Sequence, residues 1–312
     1  MSVERVEFPV NGERVVGHLY LPDGPGPHPA VVVAGPMTSV KEQVTGVYAA
    51  ALAERGIAAL SLDYRHYGES GGHPRSYEHW RHKVEDLRAA IDWLATHPGV
   101  EGGRIGGAGV CLGAGYMAHA AAGHPAIKAA GFVAGYHRDP VAMRIADPAG
   151  FDVKVEQGRA AREAFEITGE VLTVPAVALT GDAAMRTPDT YDYYSRRAAH
   201  PNYRNELAVM SREHFLPFDV QAAAGGLKAP LVMIHSERAL SPDWARDFAA
   251  KLGDRVRLHW VDSQGQTDFY DDPALVSQAA DALADHFRGA LPPTLPEWDR
   301  AREGSVLADS RG

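Results

Sequence analysis

An α/β protein built on a doubly wound, mostly parallel sheet is what this sequence predicts, and three observations carry the prediction. Short continuous apolar runs, such as Val31-Val32-Val33-Ala34, Ile57 to Leu62 and Leu231 to His235, read as strands buried on both faces. Segments with helical spacing separate most of them, as parallel pairing demands. The alternation fails once, across about 95 residues from Tyr136 to Pro230, too long for a structureless loop.

Taken in order, Val3 to Phe8 and Arg14 to Tyr20 alternate apolar and polar residues around Asn11-Gly12, the pattern of a hairpin. Pro22 to Pro29 is a Pro/Gly turn leading into the Val31–Ala34 strand. A helix over Val44 to Arg55 stops at Gly56, and Ile57 to Leu62 is the next strand. Tyr77 to Ala95 has helical spacing through Trp80, Val84, Leu87, Ile91 and Leu94. Arg104 to Val110 is a strand, Leu112 to Ala122 a helix of small residues, and Ile127 to Ala134 a further strand. Leu231 to His235 and Val256 to Val261 complete the sheet, and Leu275 to Arg288 is the last helix. The expected organisation is a core from residues 1–135 and 231–290, a mainly helical cap from 136–230 broken at Pro148, Pro175, Pro188 and Pro201, and a polar tail from 291–312.

Composition excludes several function classes. Thirty-one Lys and Arg against 40 Asp and Glu give a net charge of −9 with no basic run, which argues against nucleic acid and anionic membrane surfaces as partners. No apolar stretch approaches the roughly 18 residues needed to span a bilayer. Met1 to Val10 has neither the basic flank nor the apolar core of a secretory signal, so a cytoplasmic protein is expected. A single cysteine, Cys111, rules out an intramolecular disulfide and a multi-cysteine metal cluster. His79 and His82 have helical i, i+3 spacing but no third ligand, so they are read as a solvated face; neither metal nor cofactor is expected. A homodimer is left open.

Gly109-Val110-Cys111-Leu112-Gly113 fits a nucleophile elbow with cysteine in place of the commoner serine. Strand before and helix after is the frame the motif requires, and glycines on either side let the chains pass closely. The cysteine would sit at a helix N-terminus, where the dipole favours a thiolate. The Leu112 N–H would face a developing oxyanion, with a second donor from the loop Gly35-Pro36-Met37-Thr38-Ser39. Pro36 has no N–H, which leaves Met37. Gly68-Glu69-Ser70-Gly71-Gly72 also reads G-x-S-x-G but lacks that frame, so Ser70 is set aside. For Lys41, Glu42 and Gln43, a solvated helix start and a polar network under the site weigh about equally.

The stretch from Gly35 to Val44, the loop Asp63 to Gly72 and the cysteine elbow together resemble α/β-hydrolase-fold proteins, in particular the dienelactone-hydrolase-like branch that includes fungal polyketide transferases. That resemblance runs from about Pro29 to Phe287. It implies a capped, mostly parallel sheet and acyl chemistry at a cysteine or serine with a histidine base, in the chain order nucleophile, acid, histidine. The sequence departs from it at the histidine. Ser263-Gln264-Gly265-Gln266-Thr267-Asp268-Phe269-Tyr270-Asp271 puts Gln266 or Thr267 at that position, and an amide cannot accept a proton as imidazole does. The acid position is equally blurred, with Glu237 and Asp243 as candidates.

Replacements come from nearby elements. His137 and Asp139 follow the fourth parallel strand and are the expected base and acid; His214 would descend from the cap, and Tyr136 and the Tyr191-Asp192-Tyr193-Tyr194 run would line the pocket. The expected activity is acyl transfer or hydrolysis at Cys111 on a small-molecule or carrier-bound ester, thioester or polyketide-like acyl group. Two alternatives stay open: non-hydrolytic lyase, cyclase or isomerase chemistry, and a catalytically silent binding protein.

Overall fold

A computed structural model describes residues 1–291, so most of the expected polar tail lies outside the described residues. The chain opens with β1 (Ser2–Val10) and β2 (Glu13–Leu21), paired antiparallel from Ser2 opposite Leu21 to Val10 opposite Glu13. Asn11 and Gly12 both have positive φ, 49° and 85°, which is what a two-residue type I′ turn requires. The alternation of strand and helix then runs β3 (His28–Ala34), α1 (Val44–Glu54), β4 (Ala58–Asp63), α2 (Trp80–Ala95), β5 (Val100–Val110), α3 (Leu112–Ala121) and β6 (Ile127–Val133).

An insertion follows β6. It contains α4 (Pro140–Ala146), α5 (Pro148–Thr168), β7 (Thr173–Val174), α6 (Pro188–Asp192), β8 (Leu207–Ala208) and α7 (Ser211–Phe215). Pro148 and Pro188 begin helices, because their missing N–H falls where a helix has no acceptor for it. The segment is not purely helical: β7 and β8 pair antiparallel, and α6 runs on into a π-helical turn over Tyr193–Arg197. The chain then rejoins the sheet as β9 (Leu231–His235), α8 (Pro242–Leu252), β10 (Val256–Trp260), α9 (Asp268–Asp271) and α10 (Pro273–Ala290).

The eight-stranded sheet has the order β1-β2-β4-β3-β5-β6-β9-β10, antiparallel through β1, β2 and β4 and parallel from β4 to β10. The winding direction reverses at β3, whose chain successor β4 lies on one side and β5 on the other. The crevice beyond the carboxyl ends of β3 and β5 is therefore where this architecture places a ligand. Consecutive residues of β5 face opposite layers. A side chain at Gly106 would strike Phe287 of α10, and one at Gly107 would strike Met117 of α3.

Two boundaries and one helix differ from expectation. α2 begins at Trp80, three residues late, because His79 is extended and its ring accepts the His82 N–H as a cap. β5 begins at Val100, where it already pairs with His28. The helix α8, not singled out in the sequence, buries Ala245, Phe248, Ala249 and Leu252 along one stripe.

Candidate active site

Cys111 sits between β5 and α3 with φ 54° and ψ −125°, a strained conformation for a residue with a side chain. Its neighbours make the turn feasible. A Cβ on Gly113 would lie 2.2 Å from the Ala34 carbonyl oxygen, and one on Gly109 would lie 2.6 Å from Ala114 backbone. The turn is pinned by Cys111 N–H donating to Val133 O at 3.1 Å and by Tyr136 N–H donating to Cys111 O at 2.9 Å.

The thiol opens on a cavity of about 330 Å³ lined from the core by Met37, Cys111, Leu112 and Tyr270, and from the insertion by Tyr136, Arg138, Met143, Lys154, Thr190 and Phe215 among others. Met37 and Leu112 thus stand beside Cys111. Three backbone N–H groups near Met37 are taken: Thr38 donates to Glu78 at 3.0 Å, Val40 to Gln43 at 3.1 Å and Lys41 to Asp63 at 2.8 Å. The Met37 N–H has no acceptor among the described residues. Glu78, which the sequence did not bring out, anchors this loop: its carboxylate also accepts the hydroxyls of Tyr67 at 2.9 Å and Tyr116 at 2.6 Å and lies 2.5 Å from Lys83. Below it, Lys41 is fully buried between Asp63 at 2.9 Å, Glu42 at 2.7 Å and Glu69 at 2.5 Å, so the polar network, not the solvated helix start, describes Lys41.

The expected thiolate is not favoured here. Burial pushes the Cys111 thiol up to about 11, against opposing pulls from the Tyr270 hydroxyl, the Leu112 N–H and the Gln266 amide; nearby Asp189 adds to the rise. One orphan N–H and a helix of ten residues do not outweigh the loss of water. Tyr270, which the sequence showed only as part of the motif after Gln266, is the group whose hydroxyl reaches the thiol. Gln266, at the position where the resemblance implied a histidine, is buried. Its Oε1 accepts the Leu240 N–H at 2.9 Å, and its Nε2 donates to Ala134 O at 2.9 Å and to the Tyr270 hydroxyl at 3.3 Å. Thr267, the other residue at that position, accepts from Arg197 at 2.8 Å.

The structure does not bring the proposed replacement base and acid to the thiol. His137 is sealed among Phe132, Phe248 and His235, with Nδ1 paired to Gly135 O at 2.8 Å and Nε2 without a partner. Burial, with His235 beside it, lowers its pKa to about 3, and it does not line the cavity. Asp139 is committed to capping α4, where one oxygen accepts the N–H groups of Val141 at 2.9 Å and Ala142 at 3.0 Å. The His214 ring lies tilted against His79, centroids 4.3 Å apart, away from the cavity lining. Glu237 is exposed and paired with Arg246, and Asp243 binds the same arginine at 3.0 Å. Among the described residues, no imidazole lines the cavity.

The remaining polar motifs resolve into structure. His79 and His82 are not a solvated face: His82 meets His66 at 3.0 Å, and His79 packs 4.0 Å from His82. Ser70 donates to Asp63 O at 2.7 Å and accepts the Val16 N–H at 2.8 Å, a role in joining loop to sheet. The grouping His18, Glu42 and Glu69 brings three ligand atoms within 4.8 Å, but the Lys41 ammonium already engages both carboxylates. No described helix is long and apolar enough to cross a membrane.

Sheet order, elbow and the crevice at the reversal of winding define an α/β-hydrolase-fold protein. Residues 11–282 match the X-Pro dipeptidyl-peptidase (S15 family) model, and the chain belongs to that family. It is 31% identical over 274 residues to YcjY of Escherichia coli, covering 84% of this chain and 89% of that protein. The crystal structure of PA2218 from Pseudomonas aeruginosa superposes with a TM-score of 0.81 at 27% identity, covering 93% of this chain and 94% of that one. A polyketide transferase of Penicillium crustosum, claH, is 34% identical over 124 residues, 39% of this chain and 40% of that protein.

Proposed function

We propose that this protein is an acyl-transfer enzyme in which Cys111 takes an acyl group from a small-molecule or carrier-bound ester or thioester and passes it to an acceptor. The observation that carries the reading is the cysteine elbow opening on a cavity of about 330 Å³, with Tyr270 and Gln266 facing the thiol and, among the described residues, no imidazole in the lining. The sulfur attacks the acyl carbonyl, and the Met37 and Leu112 N–H groups receive the oxyanion. The S–H proton passes through the Tyr270 hydroxyl to the departing oxygen or sulfur as the acyl–heteroatom bond breaks. Thioesters and activated esters suit such a site because their leaving groups need little protonation, whereas an amide nitrogen needs a strong acid beside it.

Deacylation by water would lack a base to activate it, since Gln266 cannot accept the proton. An amine, thiol or carbon nucleophile relieves that need, which favours transfer over hydrolysis. The partial likeness to a polyketide transferase supports the same direction. A second reading is favoured by the raised thiol pKa: a neutral Cys111 and Tyr270 serving as proton donors to an enolate in lyase, cyclase or isomerase chemistry. In both readings the ligand is a small-molecule or carrier-bound group, with neither nucleic acid nor membrane as partner.

Intact-protein mass spectrometry after incubation with acyl thioesters and activated esters separates the two. An acyl adduct on the wild type and none on Cys111→Ala supports covalent transfer. No adduct on a thiol that small alkylating reagents still reach sinks it and leaves the proton-transfer reading.

A further inference from the structure

One carboxylate is tied to both sides of the proposed oxyanion hole. Glu78 is fully buried in the loop before α2. Its Oε2 accepts the Thr38 N–H at 3.0 Å, one residue past Met37, and the Tyr67 hydroxyl at 2.9 Å. Its Oε1 accepts the Tyr116 hydroxyl at 2.6 Å. Tyr116 stands on α3, the helix that begins at Leu112. The Lys83 ammonium lies 2.5 Å from the same Oε1, with the rings of Tyr64, Tyr67 and Tyr116 around it at 4.4, 4.8 and 4.9 Å to their centroids. From the insertion, Ser211 Oγ accepts the Glu78 N–H at 2.9 Å. A carboxylate offers about four lone-pair sites, and these three donors and the ammonium take them up.

Stability alone does not ask for this arrangement. Taking two charges out of water costs about as much as their attraction returns, and well-packed apolar side chains in their place are often as stable. What the pair adds is position. Thr38 is β-branched and has φ 60°, in the left-handed region that such residues rarely enter. Its bond to Glu78 offsets that strain and fixes the backbone beside Met37, a residue of the cavity lining. An oxyanion hole works only when its donors lie about 2.7–3.1 Å from the developing charge, so a shift of one donor against the other costs rate.

We propose that Glu78 is a positioning residue that sets the spacing of the two oxyanion donors. One carboxylate oxygen holds the Met37 side through Thr38, the other holds the Leu112 side through Tyr116 and α3, and Lys83 balances the charge between them. The proposal rests on the acyl-transfer reading, since it concerns the charge that forms on the acyl carbonyl. Glu78 itself touches neither the thiol nor the cavity lining.

The test compares two rates at the same thiol of the full-length protein. One is acylation of Cys111 by S-phenyl thioacetate, read from thiophenol release and the mass of the adduct; the other is alkylation by iodoacetamide. Alkylation displaces iodide at a saturated carbon and places no charge on an oxygen, so the ratio of the two rates isolates the oxyanion hole. Glu78→Leu with Lys83→Met removes the carboxylate and its counter-charge together. Acylation is expected to fall about 100-fold, the size of one lost oxyanion donor, with alkylation within about threefold of the wild type. Glu78→Gln with Lys83→Met returns an acceptor to the Thr38 N–H and is expected to recover about tenfold of that loss. Tyr116→Phe cuts only the tie to α3 and is expected to lower the ratio about tenfold, so it carries the test if the first double variant does not fold. A ratio that stays at the wild-type value, or two rates that fall together, overturns the proposal and leaves acyl transfer standing. A wild type that is alkylated but takes no acetyl group sinks the acyl-transfer reading, and the positioning role with it.

Discussion

Replacing Gln266 with histidine would place an imidazole beside the thiol, and the size of the effect follows from the site. With the Cys111 thiol at about 11, about one molecule in a thousand carries a thiolate at pH 8. An imidazolium partner commonly lowers a cysteine by several units; a fall of about three brings it near pH 8 and raises the thiolate fraction about 500-fold. The more acidic thiolate is a weaker nucleophile, by about 20- to 30-fold over three units. The net expectation is a rise of about 20-fold in the rate of iodoacetamide alkylation at pH 8, with the midpoint of the pH–rate profile moved down by about three units. Loss of the bonds to Ala134 and Leu240 destabilises the fold by about 1–3 kcal/mol, so far-UV spectra and a melting curve must show a folded variant. A folded Gln266→His protein with the wild-type profile would refute the placement of residue 266 beside the thiol.

Three other outcomes are expected. Tyr270→Phe removes a hydroxyl that favours the ionised thiol, so alkylation slows a few-fold and the profile moves up; an unchanged profile would show that the two groups do not interact. Gly113→Ala drives a methyl onto the Ala34 carbonyl, backbone that cannot yield, and costs about 3 kcal/mol or more in urea denaturation, whereas a neutral result would contradict the tightness of the elbow. Burial, with His82 beside one and His235 beside the other, holds His66 and His137 neutral with pKa values near 3, against about 6.5 in the unfolded chain. Their contribution is therefore intact above pH 6.5 and is lost as the pH falls toward 3, by about 1.4 kcal/mol per histidine per unit, or about 4 kcal/mol for the pair at pH 5. Equal urea midpoints at pH 7.5 and pH 5 would falsify that assignment.

The sheet was legible because buried parallel strands leave continuous apolar runs and their order is constrained by handed crossovers. The elbow was legible because a positive φ at Cys111 demands small neighbours, and Gly109 and Gly113 supply them. α8 left its stripe of Ala245, Phe248, Ala249 and Leu252 in the sequence, but between two already expected strands it drew no attention. What the sequence hid depends on three-dimensional return. Tyr270 comes to Cys111 only because α9 folds back over the end of the sheet. Residue type pointed to His137 as a base, yet Phe248 of the unassigned α8 closes over it. Its neighbour Arg138, one position on, faces the cavity instead. Burial also reversed the expected thiol chemistry, and desolvation leaves no mark in local sequence.

The parts of this site have separate addresses in the chain. Met37, Cys111 and Leu112 hang from the ends of β3 and β5, strands held on both sides by neighbours. Arg138, Lys154, Arg186, Thr190 and Phe215 all come from one uninterrupted stretch that leaves the sheet at β6 and returns at β9, its immediate neighbour. A segment with adjoining points of departure and return behaves as a cassette: it can drift, lengthen or be exchanged while the strand order beneath it is preserved. Ligand choice and reaction chemistry are then inherited separately. Transplanting the stretch from a relative would be expected to change what enters the cavity and leave the elbow as it was.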